Sequence, residues 1–414
     1  MFRVAERGHR VQAVGTNIEG HFLTSRACSG GRDLGVVSVR IEEGKISQIE
    51  PGKKAGALVL DESLWLAPGL VDLQVNGGYG IDLLTAPDRL EELSKHLVFT
   101  GVLSYLAALP SPSASDAIEL AREVICTNSQ DGLQKSPAAP KAEVLGMHLE
   151  GPVLNPTRRG VHPPERLLSG RDALRFFEEV ISVVDPNGRP AVRALTLAPE
   201  IDGAKELVPL AKRHQVIIAA GHTDASYEEG TEAIALGIRV FTHVFNAVRP
   251  IHHRDPGILT AYLLDTSTIL TLICDGVHVS EQIVRLLTKI AGPARIALVS
   301  DAVAGLGDTS AGEKSLLISR AATDSTGRLL GGTTPLSLCA AQFARFAQIS
   351  FPAALHCASG IPARILKLRD RGVLKVGAPA QLIAVSEEGE VSAVIQGNNL
   401  FQLSSGDAAN RRST

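Results

Sequence analysis

The sequence has few cysteines and no long apolar run. Its five cysteines are an odd number and form no CxxC pair, which argues against a disulfide framework or a thiolate zinc cluster and favours a reducing compartment. No apolar run approaches the ~20 residues of a membrane-spanning helix, and the opening residues MFRVAERGHRVQAVG carry no apolar signal-peptide core. We therefore expect a cytoplasmic protein without a membrane partner.

The chain also lacks the basic surplus of a nucleic-acid-binding protein. Its 41 lysines and arginines against 44 acidic residues give a net charge of −3, and aromatic residues make up only 4%, too few for a surface that stacks bases. The hydrophobic fraction of 44% and the charged fraction of 21% are ordinary for a globular protein. At 414 residues, the chain suits a large α/β barrel with a small extra module.

Two hairpin patterns stand near opposite ends of the sequence. The segment DLGVVSVRIEEGKISQIEPG and the segment QLIAVSEEGEVSAVIQGN both alternate apolar and polar residues around a Glu-Glu-Gly turn. Two hairpins of the same kind predict one small β-sandwich assembled from the N- and C-terminal segments. Two unrelated hairpins are the alternative interpretation.

Between the hairpins, short apolar runs recur, each followed by a helical pattern. The eight runs begin at Gly69, Gly101, Glu143, Val192, Gln215, Ile238, Ser267 and Ala294. Such runs are typical of parallel strands buried on both faces, and eight βα units favour a TIM (β/α)8 barrel over an open doubly wound sheet. The active site of such a barrel lies at the carboxyl ends of its strands.

These patterns divide the chain into an α/β barrel and a sandwich. We predict an N-terminal extension over 1–33, disordered in part, and a sandwich over 34–68 and 373–403. The barrel is predicted over 69–372, and a C-terminal tail over 404–414.

Polar residues at the ends of four runs fit one metal site. His148 and Glu150 end the third run, His222 the fifth, His243 the sixth and Asp301 the eighth. Imidazole and carboxylate groups suit zinc or another divalent transition metal, and three protein ligands leave a position open for water. A nearby carboxylate can then shuttle the proton of that water. A single such histidine is more often structural, but their co-occurrence at one barrel face favours a shared site.

The motifs around these residues resemble the N-acetylglucosamine-6-phosphate deacetylase family of the amidohydrolase superfamily. The resemblance extends from about Leu34 to about Leu403 and rests on APGLVDLQVNGGYGIDL, GMHLEGPVLNPTRRGVHPPE, LTLAPE, GHTDAS, THVFNAVRPIHHRDPG, CDGVHV, LVSDAV and GVLKVGAPAQLIAV. It implies a metal-dependent hydrolase barrel that acts in amino-sugar catabolism. The implied reaction converts N-acetylglucosamine 6-phosphate to glucosamine 6-phosphate and acetate.

When the family motifs are matched position by position, the resemblance implies a role for each candidate ligand and catalytic residue. Glu150, His222 and His243 match the metal ligands. Asp301 matches the group that acts as general base and then as general acid when metal-bound water attacks the carbonyl. His162 matches a histidine that helps to polarise the acetyl carbonyl.

The resemblance also implies a set of substrate contacts. These are Val161, His162, Asn246, Ala247, Arg254, His278, Leu330, Gly331 and Gly332. Among them, Arg254 and His278 match phosphate binders, and Arg254 reaches across a homodimer interface into the neighbouring subunit's site. The segment GGTTPLS, which includes Gly331 and Gly332, departs from the family's more usual serine-rich version.

The first barrel strand departs from the wider superfamily. Many amidohydrolases carry a His-x-His pair there for a second metal, whereas this chain has Gln74 and Asn76. Amide side chains are poor zinc ligands but good hydrogen-bond partners. We therefore predict one divalent metal ion per subunit, zinc first, with iron, cobalt or manganese as alternatives. Gln74, Asn76 and His148 are candidates for residues that stand behind the ligands.

Two other functions stay open at this stage. One is a different amidohydrolase reaction, such as opening of a cyclic amide or deamination of a base. The motif HHRDPG argues against it, because such substrates carry no phosphate to bind. The other is a non-catalytic barrel that serves as a scaffold, which would have no reason to hold three ligands together with Asp301.

Overall fold

The computed structural model describes residues 12–131, 139–307 and 321–404. Nine strands precede the first α-helix, and three strands end the described part of the chain. In chain order they are β1 (Gln12–Asn17), β2 (Phe22–Ser29), β3 (Arg32–Glu42), β4 (Lys45–Pro51), β5 (Leu58–Val59), β6 (Trp65–Pro68), β7 (Leu70–Val75), β8 (Gly77–Gly78), β9 (Ile81–Asp82), β10 (Val102–Pro110), β11 (Glu143–Glu150), β12 (Val192–Leu197), β13 (Ile217–Ala220), β14 (Val240–Phe241), β15 (Ile269–Leu272), β16 (Ile296–Leu298), β17 (Ala321–Thr323), β18 (Leu329–Gly332), β19 (Gln381–Val385), β20 (Val391–Gln396) and β21 (Asn399–Ser404).

The helices alternate with the barrel strands. In chain order they are α1 (Leu90–Leu97), α2 (Ala114–Asp131), α3 (Gly170–Ile181), α4 (Ala204–Arg213), α5 (Tyr227–Leu236), α6 (Gly257–Leu264), α7 (Glu281–Ala291), α8 (Leu336–Ala347), α9 (Phe351–Cys357) and α10 (Gly360–Ile365). In α3 the buried residues recur at helical spacing, from Ala173 through Phe177 to Val180, and join the core that includes the barrel strands. No helix in the described ranges is both long enough and apolar enough to cross a membrane.

The eight apolar runs form a parallel barrel, as predicted. The strands β7 and β10 to β16 pair in sequence order. The sheet closes between its first and last strands, where Val75 bridges Ala302 in parallel and the Asn76 N–H donates to the Ala302 carbonyl at 2.7 Å. The prediction of a TIM barrel with a small sandwich is confirmed. Because the strands are parallel, their carboxyl ends lie together at one face.

The sandwich takes strands from both ends of the chain. Its sheet has the order β1-β21-β20-β19-β6-β2-β3-β4, with β5 beside β2. Both predicted hairpins are present, with Glu42 opposite Lys45 in one and Val391 opposite Val385 in the other. An antiparallel bridge between Lys45 of β4 and Pro379, just before β19, joins the N- and C-terminal segments a second time. The enclosed apolar cluster is separate from the barrel core.

The sandwich begins earlier than predicted. Strands β1 and β2 belong to its sheet, so the segment assigned to an extension over 1–33 contributes two strands, and β21 runs to Ser404. In β2 the buried positions include Thr24 and Ser25. Thr24 Oγ1 lies 2.7 Å from Ser38 Oγ, and these buried hydroxyls break the apolar alternation that marks a strand. The predictions for 1–11 and for most of 404–414 concern residues outside the described ranges.

Candidate metal centre

Four side chains that can bind a metal or transfer a proton stand at or just after the ends of barrel strands. Glu150 is the last residue of β11, His222 and His243 follow β13 and β14 by two residues, and Asp301 follows β16 by three. The backbone of His222, His243 and Asp301 is left-handed, with φ of 49°, 28° and 49°. Such conformations are costly for residues with a side chain and cluster at functional sites. They turn these side chains into the mouth of the barrel.

The predicted ligands meet at one point. His243 Nε2 lies 2.8 Å and His222 Nε2 3.2 Å from Glu150 Oε1, and the two Nε2 atoms are 3.1 Å apart. All three side chains are buried. One carboxylate and two imidazoles whose ligand atoms face one another form a donor set that suits a divalent transition metal. The residues present therefore fit the metal that the sequence predicts.

His162 lies beside this trio. Its Nε2 is 3.7 Å from Glu150 Oε2, and Glu150, His162 and His222 also have ligand atoms within 4.8 Å of one another. The longer distance places His162 at the edge of the trio that includes His243. Its Nδ1 is 2.8 Å from Ser111 Oγ. Burial, aided by the charge of His222, lowers the pKa of His162 to about 3, so the imidazole is neutral.

The amides of the first barrel strand hold the two carboxylates of the site. Gln74 Nε2 donates to Glu150 Oε1 at 2.9 Å, and Asn76 Nδ2 donates to Asp301 Oδ1 at 2.9 Å. Both amides are buried. These contacts are the ones expected of residues that stand behind a ligand and a catalytic acid, since partners of this kind fix ligand orientation.

His148 lies near the ligands but does not face them. Its Nδ1 is 3.0 Å from the Leu73 carbonyl oxygen and its Nε2 is 2.8 Å from Thr196 Oγ1. Both ring nitrogens are therefore engaged by strand residues. Burial lowers the pKa of His148, which keeps the ring neutral. The contacts indicate a structural link between the first, third and fourth barrel strands.

The two carboxylates of the site have opposite pKa shifts. Burial alone would raise the pKa of Glu150, but hydrogen bonds with His222 and His243 hold it well below its ordinary value. Burial, together with the negative charge of Glu150, raises the pKa of Asp301 to about 8. A bound divalent cation would oppose that rise, because it favours the ionised carboxylate. The pair thus combines a fixed anion with a group that can take up a proton.

A cavity of about 730 Å³ opens over these residues. Its lining includes most of the predicted site, namely Asn76, Glu150, Val161, His162, His222, His243, Asn246, Ala247, His278, Asp301, Leu330 and Gly331. Gly332 lies behind the wall, where its N–H donates to the Asp301 carbonyl at 2.8 Å. Arg254 is exposed and does not line this cavity. The structure therefore brings together every predicted contact of the cavity except Arg254 and Gly332.

Sequence reasoning missed three residues of the site. Ser111 contacts His162, as above. Asp275 Oδ2 lies 2.6 Å from His278 Nδ1, and this contact outweighs burial and lowers the pKa of Asp275. Arg328 lines the cavity and donates to the Gly160 carbonyl at 3.0 Å. Asp275 and Arg328 stand within three residues of predicted site residues, but only the folded geometry places them at the site.

Comparisons with known proteins agree with this geometry. The model of the amidohydrolase family matches residues 65–401. A protein of Escherichia coli O157:H7 named N-acetylgalactosamine-6-phosphate deacetylase is 32% identical, over 87% of this chain and 93% of its own. A protein of Bos taurus named N-acetylglucosamine-6-phosphate deacetylase is 30% identical over 90% of each chain.

Solved structures show the same likeness. The N-acetyl-D-glucosamine-6-phosphate deacetylase of Mycobacterium smegmatis, in complex with N-acetyl-D-glucosamine-6-phosphate, superposes with a TM-score of 0.80 at 27% identity, over 92% of this chain and 99% of that one. The enzyme of Thermotoga maritima gives 0.77 at 27% identity, over 94% and 99%. With its barrel, its sandwich and its convergent carboxylate and imidazoles, the chain belongs to the amidohydrolase family, in the branch of the amino-sugar-phosphate deacetylases.

Proposed function

We propose that this protein hydrolyses the acetamide of N-acetylglucosamine 6-phosphate to glucosamine 6-phosphate and acetate. The observation that carries the proposal is the meeting of Glu150, His222 and His243 beside Asp301 at the floor of the large cavity. His278 lines the same cavity and offers a phosphate contact. The names of the similar proteins support the substrate class.

One divalent cation would be held by Glu150, His222 and His243, with zinc proposed ahead of iron, cobalt or manganese. When bound, the cation would acidify water and polarise a carbonyl oxygen. Gln74, which donates to Glu150 Oε1, holds that carboxylate in place. An amide at this position and at Asn76 supplies no good ligand for a second metal.

Asp301 is the proton carrier in this proposal. Its carboxylate takes a proton from the attacking water and returns it to the sugar nitrogen, so that the amine leaves in a neutral form. The hydrogen bond from Asn76 fixes Oδ1, which leaves Oδ2 for the proton. Burial raises the pKa of this group and makes the protonated form accessible during the cycle.

His162 orients the scissile group. Because its ring is neutral, one nitrogen carries a hydrogen and the other a lone pair. A Ser111 hydroxyl that donates to Nδ1 leaves the Nε2–H free to donate to the acetyl oxygen. The negative charge that develops on this oxygen strengthens that hydrogen bond in the transition state.

The phosphate is bound by His278 and by Arg254 of a second subunit. Asp275 accepts from the His278 ring at Nδ1 and thereby directs Nε2 toward the substrate. Arg254 is exposed and lies off the cavity of its own chain. This position supports a homodimer in which the arginine completes the neighbouring site.

An assay of acetate release tests the proposal. Purified protein, depleted of metal and reconstituted with zinc, is given three sugars: N-acetylglucosamine 6-phosphate, N-acetylgalactosamine 6-phosphate and unphosphorylated N-acetylglucosamine. We expect turnover of the first, with kcat/KM at least ~100-fold above that of the unphosphorylated sugar. The second is a candidate substrate because one relative is named for it.

Each other outcome has a defined meaning. Bound metal without acetate release from either phosphorylated sugar would point to a different amidohydrolase reaction. Absence of both metal and turnover would favour a scaffold. Faster release from the galacto sugar would keep the mechanism but change the substrate.

A further inference from the structure

A second cavity lies at the face of the barrel opposite the metal centre. It has a volume of about 400 Å³ and is lined by Pro190, Arg193, Gln215 and Ile217, among others. These residues stand at the starts of β12 and β13. Since parallel strands begin at one face and end at the other, the cavity lies at the amino-terminal face, away from the substrate.

The lining of this cavity is strongly basic. We call its basic side chains the basal basic pocket: Arg189, Arg193, Arg213, His214 and Lys367. Among the residues that the structure describes, no aspartate or glutamate lines the cavity. Four permanent positive charges therefore gather here in a chain whose net charge is −3.

Within the described ranges, no carboxylate makes direct contact with these charged side chains. None of the four arginine and lysine side chains makes an ion pair or a side-chain hydrogen bond there, whereas Arg158, Arg249 and Arg371 each pair with a carboxylate. Arg193 is half-buried, and burial together with the charge of Arg189 lowers its pKa. The negative charge of Asp185 offsets only part of this shift. Like charges held together are unfavourable, and an anion in direct contact with these side chains would reduce their repulsion.

The backbone makes room for one of these arginines. Gly146 of β11 has φ of 141°, and a Cβ at this residue would lie 2.3 Å from Arg193 Cγ and 2.6 Å from the Ala191 carbonyl oxygen. The pairing of β11 with β12 is also irregular there, since Met147 faces Val192 and the next residue faces Ala194. The missing side chain leaves space for the Arg193 stem. The stem of Arg193 therefore packs closely against β11, which holds the start of this side chain in place.

The ends of nearby helices do not account for the whole cluster. Arg213 ends α4 and Lys367 follows α10, where cations interact favourably with the carbonyl end of a helix. Arg189 and Arg193 belong instead to the turn before β12 and to β12 itself. No helix end explains why these two lie beside the others.

We propose that the basal basic pocket binds a small phosphorylated polyanion. The guanidinium group matches phosphate oxygens with two parallel hydrogen bonds, and several arginines together favour more than one phosphate charge. A cavity of this size accommodates a sugar phosphate or pyrophosphate. The site is distinct from the phosphate contact at His278 and does not depend on the proposed reaction.

Calorimetric titration of the zinc-loaded, full-length protein with inorganic pyrophosphate tests this proposal. At ~150 mM salt we expect saturable binding with Kd below about 1 mM. The variants Arg193→Met and Arg213→Gln should each weaken binding by about tenfold. His278→Gln should leave it unchanged, as should the control Arg171→Gln, which removes an exposed arginine on α3.

Titrations with two further compounds distinguish which kind of anion the pocket binds. Glucosamine 6-phosphate titrated into His278→Gln probes the pocket for a sugar phosphate, and citrate probes it for anions without phosphate. Equal affinity for citrate would overturn the assignment to phosphate. Absence of saturable pyrophosphate binding, or binding lost in His278→Gln and kept in both pocket variants, would overturn the site itself. Arg213→Gln alters an exposed side chain and keeps the test valid if Arg193→Met fails to fold.

Discussion

Gln74 and Asn76 stand two residues apart on or beside β7, yet each holds a different carboxylate of the site. One donates to a proposed ligand and the other to the proposed proton carrier. Ser111 plays a comparable part for His162. Glu150, Asp301 and His162 therefore each have a polar partner that fixes their orientation. Removal of such a partner should impair turnover before it impairs metal binding.

The variant Ser111→Ala tests this dependence. We expect kcat to fall by about 10- to 100-fold while the metal content stays the same, because the ring of His162 loses the hydroxyl that fixes its tautomer. Steady-state acetate release and metal analysis measure the two quantities. Ser115→Ala removes an exposed hydroxyl nearby and should retain normal turnover. Equal kcat in the two variants would contradict the role of Ser111.

The convergence of Glu150, His222, His243 and Asp301 could be predicted because each residue stands in a local motif at the end of an apolar run. Ser111 could not, since its partner His162 lies far along the chain and no pattern links the two. Arg328 could not be predicted for the same reason. A single arginine next to Leu329 is not part of a recognisable motif, and only the fold brings it to Gly160. Contacts between distant side chains depend on packing that a single sequence does not display.

We expect Asp72 to make the stability of the protein depend on pH. Its side chain is buried, Oδ1 accepts from the N–H groups of Gln74 and Ser300, and Oδ2 has no partner within the described ranges. Burial raises its pKa from an ordinary 3.8 to about 6. A carboxyl group whose folded pKa is raised favours the folded state fully at pH below its ordinary pKa. That contribution is lost as the pH rises through about 6, and a shift of this size corresponds to about 3 kcal/mol.

The variant Asp72→Asn should remove that dependence. Between pH 4 and pH 7 the Tm of the wild type should fall relative to that of the variant, because only the wild type must bury a charge. Thermal unfolding followed by circular dichroism across this range measures the difference. Parallel profiles of Tm against pH would show that Asp72 does not titrate as its burial requires.

At the scale of elements, long runs of apolar residues made the barrel predictable. Strands such as β10 and β7 are buried along nearly their whole length and therefore read as continuous runs. Strand β2 is different, because it buries Thr24 and Ser25 against polar partners. The sequence pattern therefore predicted the strands that bury apolar residues, but it did not predict β2, which buries hydroxyl groups.

Helix α5 offers a test of local sequence signals. Ser226 accepts from the Glu229 N–H at 3.2 Å, and Glu229 Oε2 accepts from the Ser226 N–H at 2.8 Å, which forms a capping box. The variant Ser226→Ala should destabilise the protein by about 1 kcal/mol. Ser280 holds the same position before α7 without a capping bond from its side chain, so Ser280→Ala should cost less. Chemical unfolding compares them, and equal losses would contradict the role of the cap.

At the scale of the whole molecule, the two faces of the barrel carry different chemistry. The carboxyl-terminal face holds the proposed metal ligands, and the amino-terminal face holds the basal basic pocket. The net charge of −3 does not indicate either anion site, because the substrate phosphate and the proposed polyanion would each contact a local group of cations. Completion of the substrate site by Arg254 would add a second chain to this arrangement.

Complementation between inactive variants tests that shared site. Asp301→Asn loses the proton carrier and Arg254→Gln loses the phosphate contact, so we expect each variant alone to have strongly reduced activity. Subunits mixed in equal amounts and allowed to exchange should recover about a quarter of the wild-type activity, because half of the dimers are mixed and each contains one complete site. Acetate release from the mixture measures the recovery. No gain over the separate variants would place Arg254 in its own subunit's site or outside it.

The sandwich has a consequence for synthesis. Strand β6 pairs with β19, and β1 pairs with β21, so each early strand waits for a partner translated almost a whole chain later. Until β19 leaves the ribosome, β6 presents an unpaired edge, and such edges invite association with other nascent chains. The barrel can gather its strands in the order in which they emerge, whereas the sandwich closes only at the last step. Translation that stops within the barrel would therefore release a chain with a preformed half-sheet open to aggregation.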